Sequence, residues 1–180
     1  MAQGATVYTF EVTLNDADRD VYERLSFRVA RHPSETEESM LARAITYCLE
    51  YREGLAFSSG LSETDAPALA VRDLTGALDT WIDVGAPEPE RLHKAGKAAR
   101  RVVVYCHKDV APLISRLAAE RVHRSEALEV YSIDRAFLSA LCARLARRMH
   151  FDLAVADRHL YLTLGDDTIA GEIVRHPLVG

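Results

Sequence analysis

Alternating apolar and polar residues mark the start of the chain as a β-hairpin. Apolar side chains occupy every second position of residues 6–14, and residues 25–29 repeat this pattern after a polar turn at residues 15–18. A period of two is typical of a strand with one buried face. We therefore predict two half-buried N-terminal strands that pair with each other.

The next pattern has a helical period. Ser34 and Glu37 have the spacing of a capping box, which predicts a helix from this point to about Arg52, before Gly54. The inward stripe of this helix is predicted to contain Leu41, Ile45, Cys48 and Leu49. Glu38 is then expected at the N-terminal end of that buried stripe and not on the solvent face.

The remaining patterns predict alternating strands and helices. Strands are predicted at residues 55–58, 68–72, 78–85, 101–106 and 128–133, and helices at 89–99, 111–120 and from Asp134 to about Met149. Residues 151–156, 159–164 and 168–174 predict a C-terminal antiparallel β-meander. Together they predict an α/β (α+β) fold, with residues 1–180 in a single domain that has a mixed central sheet flanked by helices.

The strand at residues 78–85 contains two carboxylates in an otherwise apolar sequence. Asp79 and Asp83 are four residues apart, so they share one face of the strand with Trp81. A buried carboxylate needs a cation, a charge partner or several donors. The helix that follows carries the bases Arg91, His93, Lys94, Lys97, Arg100 and Arg101. Acids on a central strand followed by bases on the next helix predict a metal and phosphate site.

Composition limits the function classes. The chain has 180 residues, 48% of them hydrophobic, and a net charge of −5, so an anionic partner must be bound by a local basic patch. The three cysteines are far apart, which predicts free thiols in a reducing cytoplasm. No apolar run reaches the roughly 20 residues of a membrane span. The motifs of P-loop nucleotide hydrolysis, nicotinamide binding, serine hydrolysis and zinc proteolysis are absent.

The order of elements over about residues 34–106 resembles the PD-(D/E)XK nuclease fold. That fold has an Asp at the start of the second core strand, an acid-x-Lys motif on the third, and often a Glu on the first helix. The closer resemblance is to the YaeQ family, which looks like a variant of that fold. The matching segments are Arg31-His32-Pro33-Ser34-Glu35-Thr36 with Glu38, Gly60-Leu61-Ser62, Trp81-Ile82-Asp83-Val84-Gly85, and Pro89 to Lys94-Ala95.

The resemblance implies a Mg²⁺-dependent phosphodiesterase acting on nucleic acid. Mg²⁺ would be held by Glu38 and Asp83 with help from Asp79 or Asp65, and phosphate by Lys94 and Arg91. Gly85 replaces the lysine of the acid-x-Lys motif, so Lys94 is the candidate for a migrated base. If the turn of the hairpin centres on Leu74–Thr75, antiparallel pairing places residues 66–68 opposite Asp83, and these residues contain no acid. Weak metal binding and little nuclease activity are therefore expected.

Each candidate residue also has a structural interpretation. Asp83 would cap the next helix or pair with Arg91, Asp79 would belong to an ion pair, and Glu38 would complement the helix dipole. The basic residues would form no more than a solvated face: Arg91, Lys94, Lys97, Arg100 and Arg101. Trp81 is better explained by core packing than by base stacking. The functional alternatives are an inactive module that binds nucleic acid or a protein through the same cleft, and a purely structural interaction protein.

Overall fold

Residues 4–58, 66–120, 122 and 127–178 are described by a computed structural model of the chain. In chain order the elements are β1 (Thr6–Asp16), β2 (Val21–Arg31), α1 (Glu37–Leu49), β3 (Leu55–Phe57), β4 (Leu69–Arg72), β5 (Leu78–Val84), α2 (Pro89–Ala98), β6 (Arg101–Cys106), α3 (Ala111–Ala119), β7 (Leu128–Ile133), α4 (Arg135–Cys142), β8 (Arg148–Ala156), β9 (His159–Leu164) and β10 (Asp167–Arg175). They group into two compact units. The first contains the chain up to Leu49 together with Ile133–Ile173, and the second contains Glu50–Ser132 together with the chain from Val174 onward.

The first unit has the strand order β2-β1-β8-β9-β10. β1 and β2 pair in an antiparallel manner along their full length, from Thr6 opposite Arg31 to Asp16 opposite Val21. β8 pairs with β1 in parallel, and β8, β9 and β10 form an antiparallel meander. The predicted hairpin and meander are both confirmed, although the turn of the hairpin lies at residues 17–20 and not at 15–18.

The core of this unit lies on one face of the sheet. Phe10 stacks on Phe27 with ring centroids 5.3 Å apart, and Phe151 meets Phe10 edge-on at 6.3 Å. Tyr47 of α1 packs against Phe27 at 4.3 Å, so the helix covers this face. The predicted inward stripe of α1 is buried: Leu41, Ile45, Cys48 and Leu49. The alternation of apolar and polar residues along the strands therefore buries one face of the hairpin, as predicted.

The start of α1 differs from the predicted capping box. The hydroxyl oxygen of Thr36 accepts the amide hydrogen of Ser39 at 3.1 Å, so Thr36 is the N-cap and Ser34 is not. Glu35 instead receives two hydrogen bonds from Arg43, at 2.9 and 2.6 Å. This pair fixes the segment before the helix. The helix ends at Leu49, three residues before the predicted end.

The last helix is shorter than its sequence predicts. Asp134 is the N-cap as predicted and accepts the amide hydrogen of Ala136 at 2.9 Å. The helix ends at Cys142 and not near Met149, because β8 begins at Arg148. Alternate residues of β8 are buried beside β1, so strand pairing overrides the helical preference of this segment.

The second unit has the strand order β7-β6-β5-β4-β3. β5, β6 and β7 are parallel, whereas β3, β4 and β5 are antiparallel. α2 and α3 bury one apolar cluster on this sheet, which includes Trp81, Leu92, Val104, Leu113 and Leu117. Mixed strand pairing with helices confirms the predicted α+β class. None of the helices described is both long and apolar enough to cross a membrane.

Gly171 provides a test of packing in the first unit. A Cβ atom at this position would lie 2.5 Å from the Cβ of Phe137, whose side chain is buried. Gly171→Ala is expected to lower the free energy of unfolding by about 1–3 kcal/mol because the contact overpacks the core. Urea denaturation measures this loss.

Gly4→Ala is the control, because a Cβ at position 4 would meet no atom within 4 Å. Combining Gly171→Ala with Phe137→Leu should cost less than the sum of the two single changes. An unchanged unfolding midpoint for Gly171→Ala would contradict the close approach of α4 and β10.

Candidate functional site

Asp83 of β5 is held by Arg91 of α2. The Nε of Arg91 donates to Oδ2 of Asp83 at 2.8 Å, and Nη2 donates to Oδ1 at 3.0 Å. Asp83 is only 3% exposed, whereas the Arg91 side chain is 28% exposed. This is the bidentate geometry in which arginine binds a carboxylate most strongly. Of the two structural interpretations of Asp83, the structure shows the pair with Arg91.

The same pair holds the start of β4. The amide of Ala68 donates to Oδ1 of Asp83 at 3.4 Å, and Nη2 of Arg91 also donates to the carbonyl oxygen of Ala66. Leu69 is paired with Ile82, so the next position along places Ala68 opposite Asp83. The predicted strand register is confirmed. One ion pair therefore links two antiparallel strands and the following helix.

Trp81 completes this face of the strand. It is buried in the apolar cluster under α2 and α3, and the guanidinium carbon of Arg91 lies 5.3 Å from the centre of its ring. This distance permits a cation–π contact. The structure therefore shows core packing for Trp81, which also supports the arginine that neutralises Asp83.

The carboxylate of Asp83 has little capacity left for another ligand. Three N–H groups point at its two oxygens, which offer about four lone-pair positions. A metal ion at this point would have to displace the guanidinium group of Arg91. The arrangement is therefore suited to holding β4, β5 and α2 together.

The other predicted acids have separate surroundings. Asp79 lies 3.5 Å from Arg52 and accepts the hydroxyl hydrogen of Thr80 at 2.8 Å. Glu38 belongs to the first unit, where its Oε1 lies 3.7 Å from Nε of Arg135. Asp65 lies outside the described residues. Within the described ranges no three His, Cys, Asp or Glu side chains are grouped to hold a metal ion, and the Mg²⁺ site stays a prediction.

The predicted basic residues divide into two groups. Arg91 is paired with Asp83, and Lys94, Lys97 and Arg100 are exposed along α2 and just after it. Arg101, which was predicted with these bases on the helix, is instead the first residue of β6. Leu92, Ala95 and Ala99 are buried, as the helical period predicts. We define these three exposed residues, Lys94, Lys97 and Arg100, as the basic face of α2.

A charged network that the sequence does not predict joins Glu50 to residues of β6 and β7. Arg101 donates to Glu50 at 2.8 Å and to Glu129 at 2.5 Å, and the buried hydroxyl of Tyr105 donates to Glu50 at 2.7 Å. Burial raises the pKa of Tyr105, and Glu50 raises it further. Burial opposes ionisation of Glu129, but hydrogen bonds from Arg101 and Tyr131 keep its pKa below the usual value. The signal in the sequence is one charged residue near the start of each of two apolar strands, Arg101 on β6 and Glu129 on β7.

His32 and Ser34 also form an unexpected contact. The hydroxyl oxygen of Ser34 lies 2.7 Å from Nδ1 of His32, and the amide of Ser34 donates to the same nitrogen at 3.1 Å. Both residues are exposed and lie in the turn before α1. Two contacts to one ring nitrogen stabilise this turn, so Ser34 has a local role other than the predicted N-cap.

The chain is similar to known proteins over nearly all of its length. A family model described as "YaeQ protein" matches residues 1–173. The uncharacterized protein YaeQ of Escherichia coli K12 is 30% identical over 164 residues, and that of Salmonella typhi over 168, with 91% of each chain covered in both cases. The crystal structure of YaeQ from Xanthomonas axonopodis pv. citri is 32% identical, with a TM-score of 0.87 over 96% of this chain and 98% of that one. The crystal structure of YaeQ from Pseudomonas syringae is 29% identical, with a TM-score of 0.88 over 97% of both chains.

Asp83→Asn tests the role of the central carboxylate. The change removes the charge that neutralises Arg91 and leaves the guanidinium group poorly paired. We expect a loss of about 2–3 kcal/mol in the free energy of unfolding, measured by urea denaturation.

Asp79→Asn is the matched control on the same strand. Its ion pair with Arg52 is more exposed, so the expected loss is only about 0–1 kcal/mol. An Asp83→Asn protein as stable as the unmodified protein, or more stable, would instead indicate a carboxylate that lacks its natural cation.

Proposed function

This chain belongs to the YaeQ family, and we propose that it is a nucleic-acid-binding module whose nuclease-like acid site is closed by an ion pair. The resemblance predicted from the sequence is confirmed. The nuclease-like core, the absence of catalysis and the nucleic-acid partner are parts of this proposal. Its main support is the bidentate contact between Arg91 and Asp83.

The ion pair supports loss of catalysis in two ways. A nuclease of this type needs the Asp83 carboxylate for Mg²⁺ and a nearby base for phosphate. Here the two groups that occupy those positions neutralise each other. Binding Mg²⁺ would therefore require breaking a charge-assisted hydrogen-bond pair at a site that is 3% exposed.

The backbone at Gly85 gives a second argument. Gly85 stands where the acid-x-Lys motif has its lysine, and its φ angle is +116°. That conformation strongly favours glycine, so a lysine at this position would be strained. The backbone conformation at the position of the missing base therefore also disfavours a lysine.

The nucleic-acid part of the proposal is based on the basic face of α2. Lys94, Lys97 and Arg100 are exposed on the helix that carries Arg91. The overall charge of −5 gives no general attraction for a polyanion, so affinity has to come from local groups such as these. Contacts between lysine or arginine and phosphate give binding that depends on salt and not on sequence.

The catalytic alternative is a Mg²⁺-dependent phosphodiesterase that uses Glu38, Asp83 and Asp79 or Asp65 for the metal. The observation in its favour is the strand register, which places Asp83 opposite Ala68, where the nuclease pattern has its strand acid. In this alternative Arg91 would leave Asp83 when metal and phosphate bind.

Binding and cleavage by the full chain distinguish the two functions. We expect a fluorescein-labelled DNA duplex to bind, with an affinity that falls as salt rises from about 50 to 200 mM. Lys94→Ala combined with Lys97→Ala should reduce the slope of log K against log salt by about 2, since each lost phosphate contact removes about 0.9. Fluorescence anisotropy measures this slope.

Lys108→Ala is the control, because Lys108 is an exposed lysine in the loop after β6. It should leave affinity and slope unchanged. No cleavage product is expected with Mg²⁺ or Mn²⁺ on a denaturing gel. Cleavage that requires Mg²⁺ and disappears in Asp83→Asn would favour the catalytic alternative and overturn the proposal.

A further inference from the structure

The sheet of the first unit has a polar face opposite its core. We define the open face as the outward side chains of β2, β1, β8 and β9, most of which are exposed. Strand pairing places Arg28, Thr9 and Arg148 side by side across three strands. Six residues before Arg28 in β2, Tyr22 lies across from Tyr161, with the smaller side chains of Asn15 and Ala154 between them.

Three arginines on this face differ from the others in the first unit. The guanidinium groups of Arg24, Arg28 and Arg148 make no hydrogen bond or ion pair with any residue that the structure describes. Elsewhere in the unit Arg43 is paired with Glu35 and Arg19 with Asp16, and Arg31 and Arg147 donate to backbone carbonyl oxygens. Exposed cations without an internal partner are available to an anionic ligand.

The tyrosines give the face a second property. The exposed fractions of Tyr22 and Tyr161 are 58% and 45%, the largest among the exposed aromatic residues of the chain that is described. Three strand spacings separate them, which is about 14 Å. An exposed aromatic ring on a β-sheet can stack on an unpaired base, and such stacking tolerates any base.

A depression beside Arg24 lies on this part of the sheet. Its volume is about 340 Å³, and its lining includes Glu11, Thr13, Arg24 and His150. The hydroxyl of Ser26 already donates to Glu11 at 2.8 Å. Glu11 and Asp152 are the acids on the middle of the face, where carboxylates can accept hydrogen bonds from the amino groups of bases.

We infer that the open face binds single-stranded nucleic acid. Arg24, Arg28 and Arg148 would contact phosphates, and Tyr22 and Tyr161 would stack on bases. A duplex hides its bases from the tyrosines and places two rows of phosphate near Glu11 and Asp152, so the face favours a single strand. The inference depends on the proposed nucleic-acid binding and adds a surface that is separate from the basic face of α2.

The test uses the full chain and a fluorescein-labelled single-stranded DNA of about 12 nucleotides, within the site sizes of β-sheet platforms. Arg28→Ala combined with Arg148→Ala should reduce the slope of log K against log salt by about 1.4, at about 0.7 for each single-strand phosphate contact. Tyr161→Ala should weaken binding roughly 5- to 150-fold, and Tyr161→Phe should preserve it because the ring still stacks.

Arg116→Ala combined with Arg144→Ala is the matched control, because both arginines are partly exposed and paired with acids. This control should bind like the unmodified protein, and circular dichroism should show every variant folded. Absence of single-strand binding at about 50 mM salt, or binding unchanged in the arginine and tyrosine variants, would overturn the inference.

Two other outcomes separate this inference from the proposed function. If Lys94→Ala with Lys97→Ala weakens binding and the open-face variants do not, the proposed function stands and the inference fails. If only the open-face variants weaken binding, the inference stands, and the proposal that the basic face of α2 binds nucleic acid fails. A dimer in sedimentation that Arg28→Ala with Arg148→Ala disrupts would make the open face an interface between copies, which also overturns the inference.

Discussion

A carboxylate on a central β-strand has to be neutralised, and the arrangement around β5 follows from how this is done. Asp83 is almost completely removed from water, and an unpaired charge at that position would cost several kcal/mol. Arg91 is positioned to meet both of its oxygens because the chain turns after Gly85 and enters α2 at Pro89. The contacts of this pair with Ala66 and Ala68 then fix where β4 begins.

Arginine performs the same task at each of three buried or partly buried acids. Glu35 is held by Arg43 before α1, Asp83 by Arg91 after β5, and Glu50 by Arg101 at the start of β6. The planar guanidinium group satisfies both oxygens of a carboxylate at once, which a lysine cannot do. In a chain where arginines are used in this way, the guanidinium groups of the open face are exceptions, and their location together on one sheet is the reason to assign them an external ligand.

The sequence predicted the features that depend on local pattern. The N-terminal hairpin, the inward stripe of α1 and the register that places Asp83 near Ala68 all follow from periods and turn positions, and all are confirmed. The end of α4 could not be predicted in this way, because β8 is specified by pairing with β1, more than a hundred residues earlier in the chain.

The candidate site was predictable only in part, for the same physical reason. The pair of Asp83 and Arg91 spans eight residues, and it was one of the structural alternatives for Asp83. The network around Arg101 joins it to Glu50, which is 51 positions earlier in the chain, and to Glu129, which is 28 positions later. No local sequence pattern reports contacts at such separations.

Charged residues in apolar strands indicate that a partner exists, but the fold decides whether that partner is a metal ion or an arginine. At Asp83 the partner is an arginine, and a cation that is covalently part of the chain is always present at the site. Mg²⁺ would have to compete with a group tethered nearby, and for this reason the proposed binding function fits the site better than the catalytic alternative does.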